Sequence, residues 1–498
     1  MQATDVTDVV AGPRHGVDRV GHLETRGIDF IPEAERHSSP RDLAWVFFGA
    51  QFTYAAFILG ALPIVFGLNW WSAFTAILVG SVVGAAAFAG MSVMGPKTGT
   101  NGTVSSAAFF GIRGRYVGSF IAQIIDLGFF ALTTWAGAEA LLSAGHRWFG
   151  IGTGNGPLAV AMALVAAVTL FIGILGHATL VAYEKFISVS NLLIMALVVA
   201  LATKHFTAHQ AHAQYALGSF SATWFLAVTV AIANATSFGP FASDYSRYIP
   251  AATPSREVFR GAVAGMFTGN IVALLAGAFI GLSITNPSDP VSGIVSIPGA
   301  VVLIPVVALG FIGNATNGAM CVYNGTLDLQ AILWRLRRLS VGLIFGVGGL
   351  AVAYLGVIVF NAINSINALV SIVTVLVTPW MAINIIGYLR CRGRFLPHHL
   401  QAFADPSQRG VYWYTSGFNV RAVIAWVAGV VVGLMFTNTS LLVGPLATSA
   451  NGVDLSFISA AIIGGTLYLL IGVPASLGVD SETSAQAAVS PIDSTLVH

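Results

Sequence analysis

The chain is 498 residues long, 56% of them hydrophobic and only 8% charged, against roughly 25% charged in ordinary soluble domains. Its formal net charge is +2, so no basic field exists to hold a polyanion. These figures exclude a soluble enzyme, a disordered chain and a nucleic-acid binder, and the two cysteines, Cys321 and Cys391, make neither a disulfide framework nor a zinc cluster.

The N-terminal segment 1–41 is polar, lacks the apolar core of a signal peptide and reads as a cytosolic tail. Beyond it, apolar runs recur at the length of about 20 residues that a bilayer crossing needs. Twelve are expected, giving an all-α polytopic membrane protein. The first repeat of five, in 42–203, holds Leu43–Gly67, Trp71–Met94, Val117–Ala144, Leu158–Gly176 and Phe186–Thr203. The second, in 204–389, holds Ser221–Phe241, Gly261–Ser283, Val301–Leu327, Leu339–Phe360 and Ile366–Leu389. A basic, polar cytosolic loop follows at 390–419. Spans 11 and 12, Ala422–Asn438 and Leu455–Val473, lie in 420–476. The Ser/Ala/Thr-rich end, 477–498, is expected to be a disordered cytosolic tail. With this count, 20 of the 22 Lys and Arg residues fall on the side of the two termini, leaving only Arg147 and Lys204 opposite. The asymmetry places both termini in the cytoplasm of a plasma-membrane protein.

Two spans carry polar interruptions. Span 1 contains Gly49-Ala50-Gln51-Phe52-Thr53-Tyr54, and span 6 contains Asn234-Ala235-Thr236-Ser237-Phe238-Gly239-Pro240-Phe241. Lipid cannot satisfy backbone groups freed by such breaks, so they belong around a cavity or ligand. As the first members of two groups of five, they point to an inverted-repeat transporter with a site near the midplane. Span 8 adds Asn314, Thr316 and Asn317. Buried amides either bind a substrate or tie helices together.

Taken together, several stretches resemble the nucleobase:cation symporter-1 family, the purine/cytosine permeases. The most specific is Gly239-Pro240-Phe241-Ala242-Ser243-Asp244-Tyr245-Ser246-Arg247-Tyr248-Ile249-Pro250. Ile31-Pro32-Glu33, Gly95-Pro96-Lys97, Thr378-Pro379-Trp380 and the run from Asn314 through Tyr323 to Leu327-Asp328-Leu329-Gln330 agree in order. The resemblance runs from about Glu24 to Leu470. It implies a LeuT-like 5+5 inverted repeat with two peripheral helices, and import of a nucleobase (cytosine or a purine) by H⁺ or Na⁺ symport with alternating access. It further implies that a planar base stacks between Phe129 of span 3 and Phe238 of span 6, both standing where many members carry Trp. Gln51, Thr53, Thr133, Asn234, Ser237, Asn314 and Asn317 are the side chains expected to pair with its edges, since amides offer both donors and acceptors.

In sodium-coupled members the ion lies between spans 1 and 8. Here Gly49 and Phe52 would supply carbonyls and Thr316 a hydroxyl, but Ala315 stands where a second hydroxyl is expected, and a hard-cation site weakens with each oxygen lost. Span 3 offers a proton route instead. Asp126 lies one turn below Phe129, and Glu139 is about 20 Å further along the helix. An ionisable group inside a membrane is a functional hypothesis by default. Asp244 and Arg247 are expected at an inner gate or in a structural role. Lys97, Arg113 and Arg115 are expected to set topology from a solvated loop.

The expected partners are a small heterocycle and the lipid bilayer; no cofactor and no metal beyond Na⁺ is implied, and the chain is expected to be monomeric. Allantoin, hydantoin or a vitamin-like heterocycle is the alternative cargo on the same fold. A channel would want a continuous polar pore. An intramembrane enzyme would want a metal or nucleophile set, yet no H-E-x-x-H motif occurs and His177 lies near a span end without ligand spacing.

Overall fold

A computed structural model describes residues 27–471, apart from 211–213, 289, 297–302, 361, 404–409 and 440–441. The tail segments 1–26 and 472–498 lie outside the described residues, as do the expected start of span 8 at 301–302 and the end of span 12 at 472–473. Among the described residues the secondary structure is helical, and extended backbone pairs only in the isolated bridges Thr415–Phe418 and Asn438–Val443.

Among the described residues nine helices are long and apolar enough to cross a bilayer, or ten when the bent pair Pro40–Gly49 and Tyr54–Val65 is taken as one span. Two shorter apolar helices, Val420–Phe436 and Ser456–Ile471, stand at the expected spans 11 and 12. The first, at 17 residues, falls short of the usual crossing length, and the second is described over 16 residues up to Ile471, so a count of twelve is reached only by including them.

The halves of span 1 are α1 (Pro40–Gly49) and α2 (Tyr54–Val65). Spans 2 to 5 are α3 (Trp70–Ser92), α4 (Tyr116–Phe149), α5 (Asn155–Leu175) and α6 (His177–Ala202). Spans 6 to 10 are α7 (Phe220–Ser237), α8 (Ser255–Gly281), α9 (Asn314–Ile332), α10 (Arg338–Tyr354) and α11 (Ala362–Arg390). The closing pair, Val420–Phe436 and Ser456–Ile471, is α12 and α13. One boundary moves materially. Span 5 was expected from Phe186, but α6 begins at His177 after Gly176, whose φ of +111° ends the preceding helix. That places Glu184 inside the span.

Local chemistry explains how span 1 starts and breaks. Ser39 and Asp42 form a reciprocal capping box with Pro40 in the first turn. The helix stops at Gly49, and the chain bends by 65° before α2. Thr53 takes extended backbone and its hydroxyl accepts from the Ala56 amide at 3.2 Å, capping α2. Span 6 is interrupted where expected: α7 ends at Ser237 and a short helix resumes at Ala242–Ser246. Yet Phe220–Ser246 persists as one span, without the sharp bend of span 1.

Glycine sets the closest helix approaches. Gly261, Gly265 and Gly269 of α8 press on the backbone of Pro40, Ala44 and Phe48 of α1, while Gly277 presses on Phe57 of α2. A side chain at any of these would overlap a carbonyl oxygen, so α8 is a straight rail along which both halves of the broken span lie. The second repeat mirrors the arrangement: Gly80 and Gly84 of α3 seat against Ala231 and Ala235 of α7. Span 7 thus lies along span 1 as span 2 lies along span 6, the exchange that an inverted repeat requires. Large apolar side chains such as Phe171 of α5, Leu193 of α6 and Val347 of α10 stay exposed on outward faces, as lipid contact demands.

Candidate functional site

The two interruptions meet through amides. The Asn234 side-chain nitrogen donates to Gln51 Oε1 at 2.9 Å and to Asn270 Oδ1 at 2.6 Å, and Asn270 in turn donates to Ser81 Oγ at 2.8 Å. This chain links spans 1, 6, 7 and 2. Gln51 and Asn234, expected at the edges of a base, are therefore tied to each other and to two residues the sequence reading passed over. A lone Asn270 in an apolar helix was the available signal.

Span 8 repairs the break directly. Asn317 Nδ2 donates to the Ala50 carbonyl at 2.9 Å, and Asn314 Oδ1 accepts from the Ala55 amide at 3.3 Å. Asn314 also donates to Gly310 O at 2.5 Å. Both amides thus tie helices together by satisfying groups freed when α1 and α2 separate. The segment just before them, Leu309–Gly313, has π-helical bonding, an irregularity common at functional sites. Gly310 lies against Tyr54, whose hydroxyl donates to Val306 O at 2.6 Å.

The other expected contacts are less open. Thr133 donates to Phe129 O at 2.9 Å and Ser237 to Asn234 O at 2.7 Å, each within its own helix. Phe129 is 8% exposed and has no ring partner among the described residues, whereas Phe238 is 9% exposed and meets Phe47 edge-on at 5.9 Å. A cavity of about 440 Å³ lies on the other face of α4, lined by Gly128, Leu132 and Trp135 together with Val352, Phe360 and Leu369. It touches none of the residues expected to hold a base. A second cavity, of about 200 Å³, sits between the end of α2, α7, α11 and the segment at Asp454–Ser456.

The expected ion-site atoms also gather at the break. The Phe52 carbonyl oxygen faces Gly313 of span 8. The Gly49 carbonyl accepts from the Phe52 amide at 3.1 Å. Thr316 donates to Ile312 O at 2.7 Å and lies beside Tyr183 of α6. Ala315 is buried beside it. Of the expected proton carriers, Asp126 is buried with neither carboxylate oxygen hydrogen-bonded among the described residues. Glu139 is only half-buried.

The segment between α3 and α4 is bound to the ends of spans 6 and 8. Asp244 Oδ1 accepts from the Gly102 amide at 2.9 Å, while Asp328 accepts from Thr103 at 2.6 Å and Asn101 at 3.3 Å. Arg247 donates to Gly27 O at 2.8 Å and to the Tyr323 hydroxyl at 3.2 Å. Both members of the expected gate pair are fully buried. The reading of Lys97 and Arg115 as solvated is corrected. Lys97 donates to Ala251 O at 2.6 Å. Arg115 is buried with its guanidinium 4.3 Å from the Phe403 ring, and burial pulls it down to about 10. The loop after α11 folds back over it, bringing Phe403 to the guanidinium, which no local signal reveals. Arg113 is exposed as expected.

Comparison with known proteins gives a consistent result. Residues 30–459 match the family described as permeases for cytosine/purines, uracil, thiamine and allantoin. A protein of Bacillus subtilis (strain 168), provisionally named a purine-cytosine permease (YxlA), is 28% identical over 465 residues, covering 91% of this chain and 96% of its own. A purine-uracil permease of Arabidopsis thaliana is 23% identical, over 88% of this chain and 76% of its own. Among solved structures, Mhp1, a nucleobase-cation-symport-1 family transporter, superposes in a closed conformation with bromovinylhydantoin bound at a TM-score of 0.69 and 17% identity, covering 96% of this chain and 99% of that one. Its inward-facing conformation gives 0.67 at 20% identity, covering 95% and 100%.

Proposed function

Because this chain belongs to the family of permeases for cytosine/purines, uracil, thiamine and allantoin, we propose that it imports a nucleobase, cytosine or a purine, by symport with H⁺ or Na⁺. It is a multi-pass membrane transporter with the LeuT-like fold of Mhp1, and not an enzyme. Import across the plasma membrane, with both termini in the cytoplasm, is part of the proposal.

One observation carries the reading: two interrupted spans are joined by amides at mid-depth, with Phe129 and Phe238 among the few aromatic rings there left slightly open. A flat uncharged ring is held well by such faces, since stacking tolerates substitution while polar edges select. With Asn314 and Asn317 engaged at the break, the remaining edge groups are the unused oxygen lone pairs of Gln51, Asn234, Thr133 and Ser237 and the Thr53 hydroxyl. The ion is proposed to act where spans 1 and 8 approach.

The test is uptake of labelled cytosine and, in parallel, hypoxanthine in permease-null cells, with Na⁺ replaced by choline at fixed pH. Saturable uptake of either base is expected, and its survival in choline assigns the driving ion to protons. No uptake of either, with the protein shown in the membrane, moves the cargo to allantoin, hydantoin or a vitamin-like heterocycle; linear, unsaturable flux would instead indicate a channel.

A further inference from the structure

One stripe of span 3 faces away from the broken spans. Ile124, Leu127, Ala131 and Trp135 recur at steps of three and four residues, which puts them on one face of α4. That face is only half-buried, whereas Ile125, Phe129 and Phe130 of the same turns are buried. The stripe is one wall of the 440 Å³ cavity. The end of α10, where the helix widens into π-helical bonding at Leu355–Val359, forms the second wall, and the start of α11 forms the third. Ser365 of α11 donates to the Gly356 carbonyl at 2.9 Å, tying these two walls together. That bond engages the one hydroxyl in the lining; apart from the Trp135 indole, every other side chain there is hydrocarbon. Leu355, Phe360 and Ile372 rim the mouth and are exposed, like the outward side chains of α5, α6 and α10. Along α11 the lining runs from Ala362 to Ile372, about 15 Å at 1.5 Å per residue. The groove thus reaches from the α10–α11 connection through about half of the roughly 30 Å hydrocarbon layer, the depth of a single leaflet.

We propose that this groove is a lipid site, in which one acyl chain of a phospholipid from that leaflet lies between spans 3, 9 and 10. The chemistry of the walls selects the occupant. Water would find no partners there, and apolar cavities stay dry. A polar heterocycle would bury its N–H and C=O groups unpaired, so the groove is no second seat for the cargo. Left empty, the walls would forgo their contacts on one side. A methylene chain from the surrounding bilayer restores those contacts, entering sideways past the exposed rim without leaving hydrocarbon. The groove also touches the transport core. Leu369 of α11, which lines it, rests on Gly128 so closely that a Cβ there would overlap the Leu369 side chain. Gly128 directly precedes Phe129. A chain in the groove therefore backs the seat of α11 on α4, next to the ring on which the base is proposed to stack.

The test uses the full chain purified in detergent, stripped of lipid and titrated with phosphatidylcholine brominated in its acyl chains, which quenches indole emission on contact. The Trp135 signal is the difference between wild type and Trp135→Phe. Its loss is expected to level off at one lipid per chain. Gly356→Leu is expected to abolish that saturable loss, because a Cβ there meets only Ser365, at 3.5 and 3.7 Å, and the side chain beyond it fills the groove. Ala131→Leu fills the groove from the opposite wall and is expected to do the same, which keeps the test open where Gly356→Leu does not fold. Gly348→Leu, on the same helix as the second wall but with nothing within 4 Å, is the control and is expected to respond as wild type does. Added lipid is also expected to raise the melting midpoint of wild type and Gly348→Leu more than that of the filled variants. Quenching that grows in proportion to lipid, without levelling and equally in the filled variants, marks general contact with the bilayer and overturns the proposal. Absence of Trp135 quenching overturns it too; a dimer that Gly356→Leu breaks would then make the groove an interface between copies of this chain.

Discussion

Phe129 is the side chain on which the stacking hypothesis stands or falls. Among the described residues it has no ring against it, and it keeps a sliver of exposure on a helix otherwise packed against α9. Phe129→Ala is expected to weaken base affinity by about 1–3 kcal/mol, the worth of base–aromatic stacking, read as a rise in the half-saturation concentration. Unchanged affinity in a well-expressed variant would reduce Phe129 to packing. The chemistry of this centre was legible in the sequence, since Gln51, Asn234, Asn314 and Asn317 are conspicuous in apolar helices. Their partners were not: an amide serves equally well against a ligand, another amide or an orphaned carbonyl, and only the three-dimensional neighbours choose. Asn317 meets the Ala50 carbonyl because the break leaves that group unpaired. Glu184 escaped notice because Glu184-Lys185 reads like the polar threshold of a span, whereas the helix begins two turns earlier.

At the scale of elements, both interruptions were predicted where they occur, because Gly, Gln, Thr and Gly-Pro weaken an apolar helix in recognisable ways. Their difference was hidden. Span 1 bends by 65°, with α8 supporting the two halves separately, while span 6 continues through its interruption, backed by α3. The glycine seam between α8 and α1 makes a sharp prediction. At Gly265 a Cβ would lie 2.7 Å from Ala44 Cα and closer still to its carbonyl oxygen. Gly265→Ala is expected to destabilise the purified protein by about 1–3 kcal/mol, as overpacking does, and to impair transport. Gly348→Ala, where nothing lies within 4 Å, is the control and is expected to leave melting and uptake unchanged or slightly improved. Equal behaviour of the two variants would mean that the seam does not hold the helices together.

For the molecule as a whole, composition announced a membrane protein and the order of apolar runs announced the repeat. The helix α12 stops at Phe436, short of a full span, where the chain passes into loop residues such as Asn438 and Asp454, whose hydrogen bonds hold irregular backbone. The orientation rests on charge asymmetry and is directly measurable. A fluorescent protein fused after His498 is expected to fluoresce, and alkaline phosphatase at the same place to stay inactive. A phosphatase fused into 150–154, between α4 and α5, is expected to be active. The reverse pattern would turn the carrier over and exchange the entry and exit sides assigned above.

The rail formed by α8 behaves like a fastener that closes over a bend. Glycine contacts engage α1 at 261, 265 and 269 and take hold of α2 at 277, and the contact at 269 also reaches the Gln51 side chain inside the break. Backbone resting on backbone has no rotamers to rearrange, so the two halves of the broken span are registered by one neighbouring helix and not by each other. The bend therefore needs no rigid residue of its own: its position is written into the helix beside it.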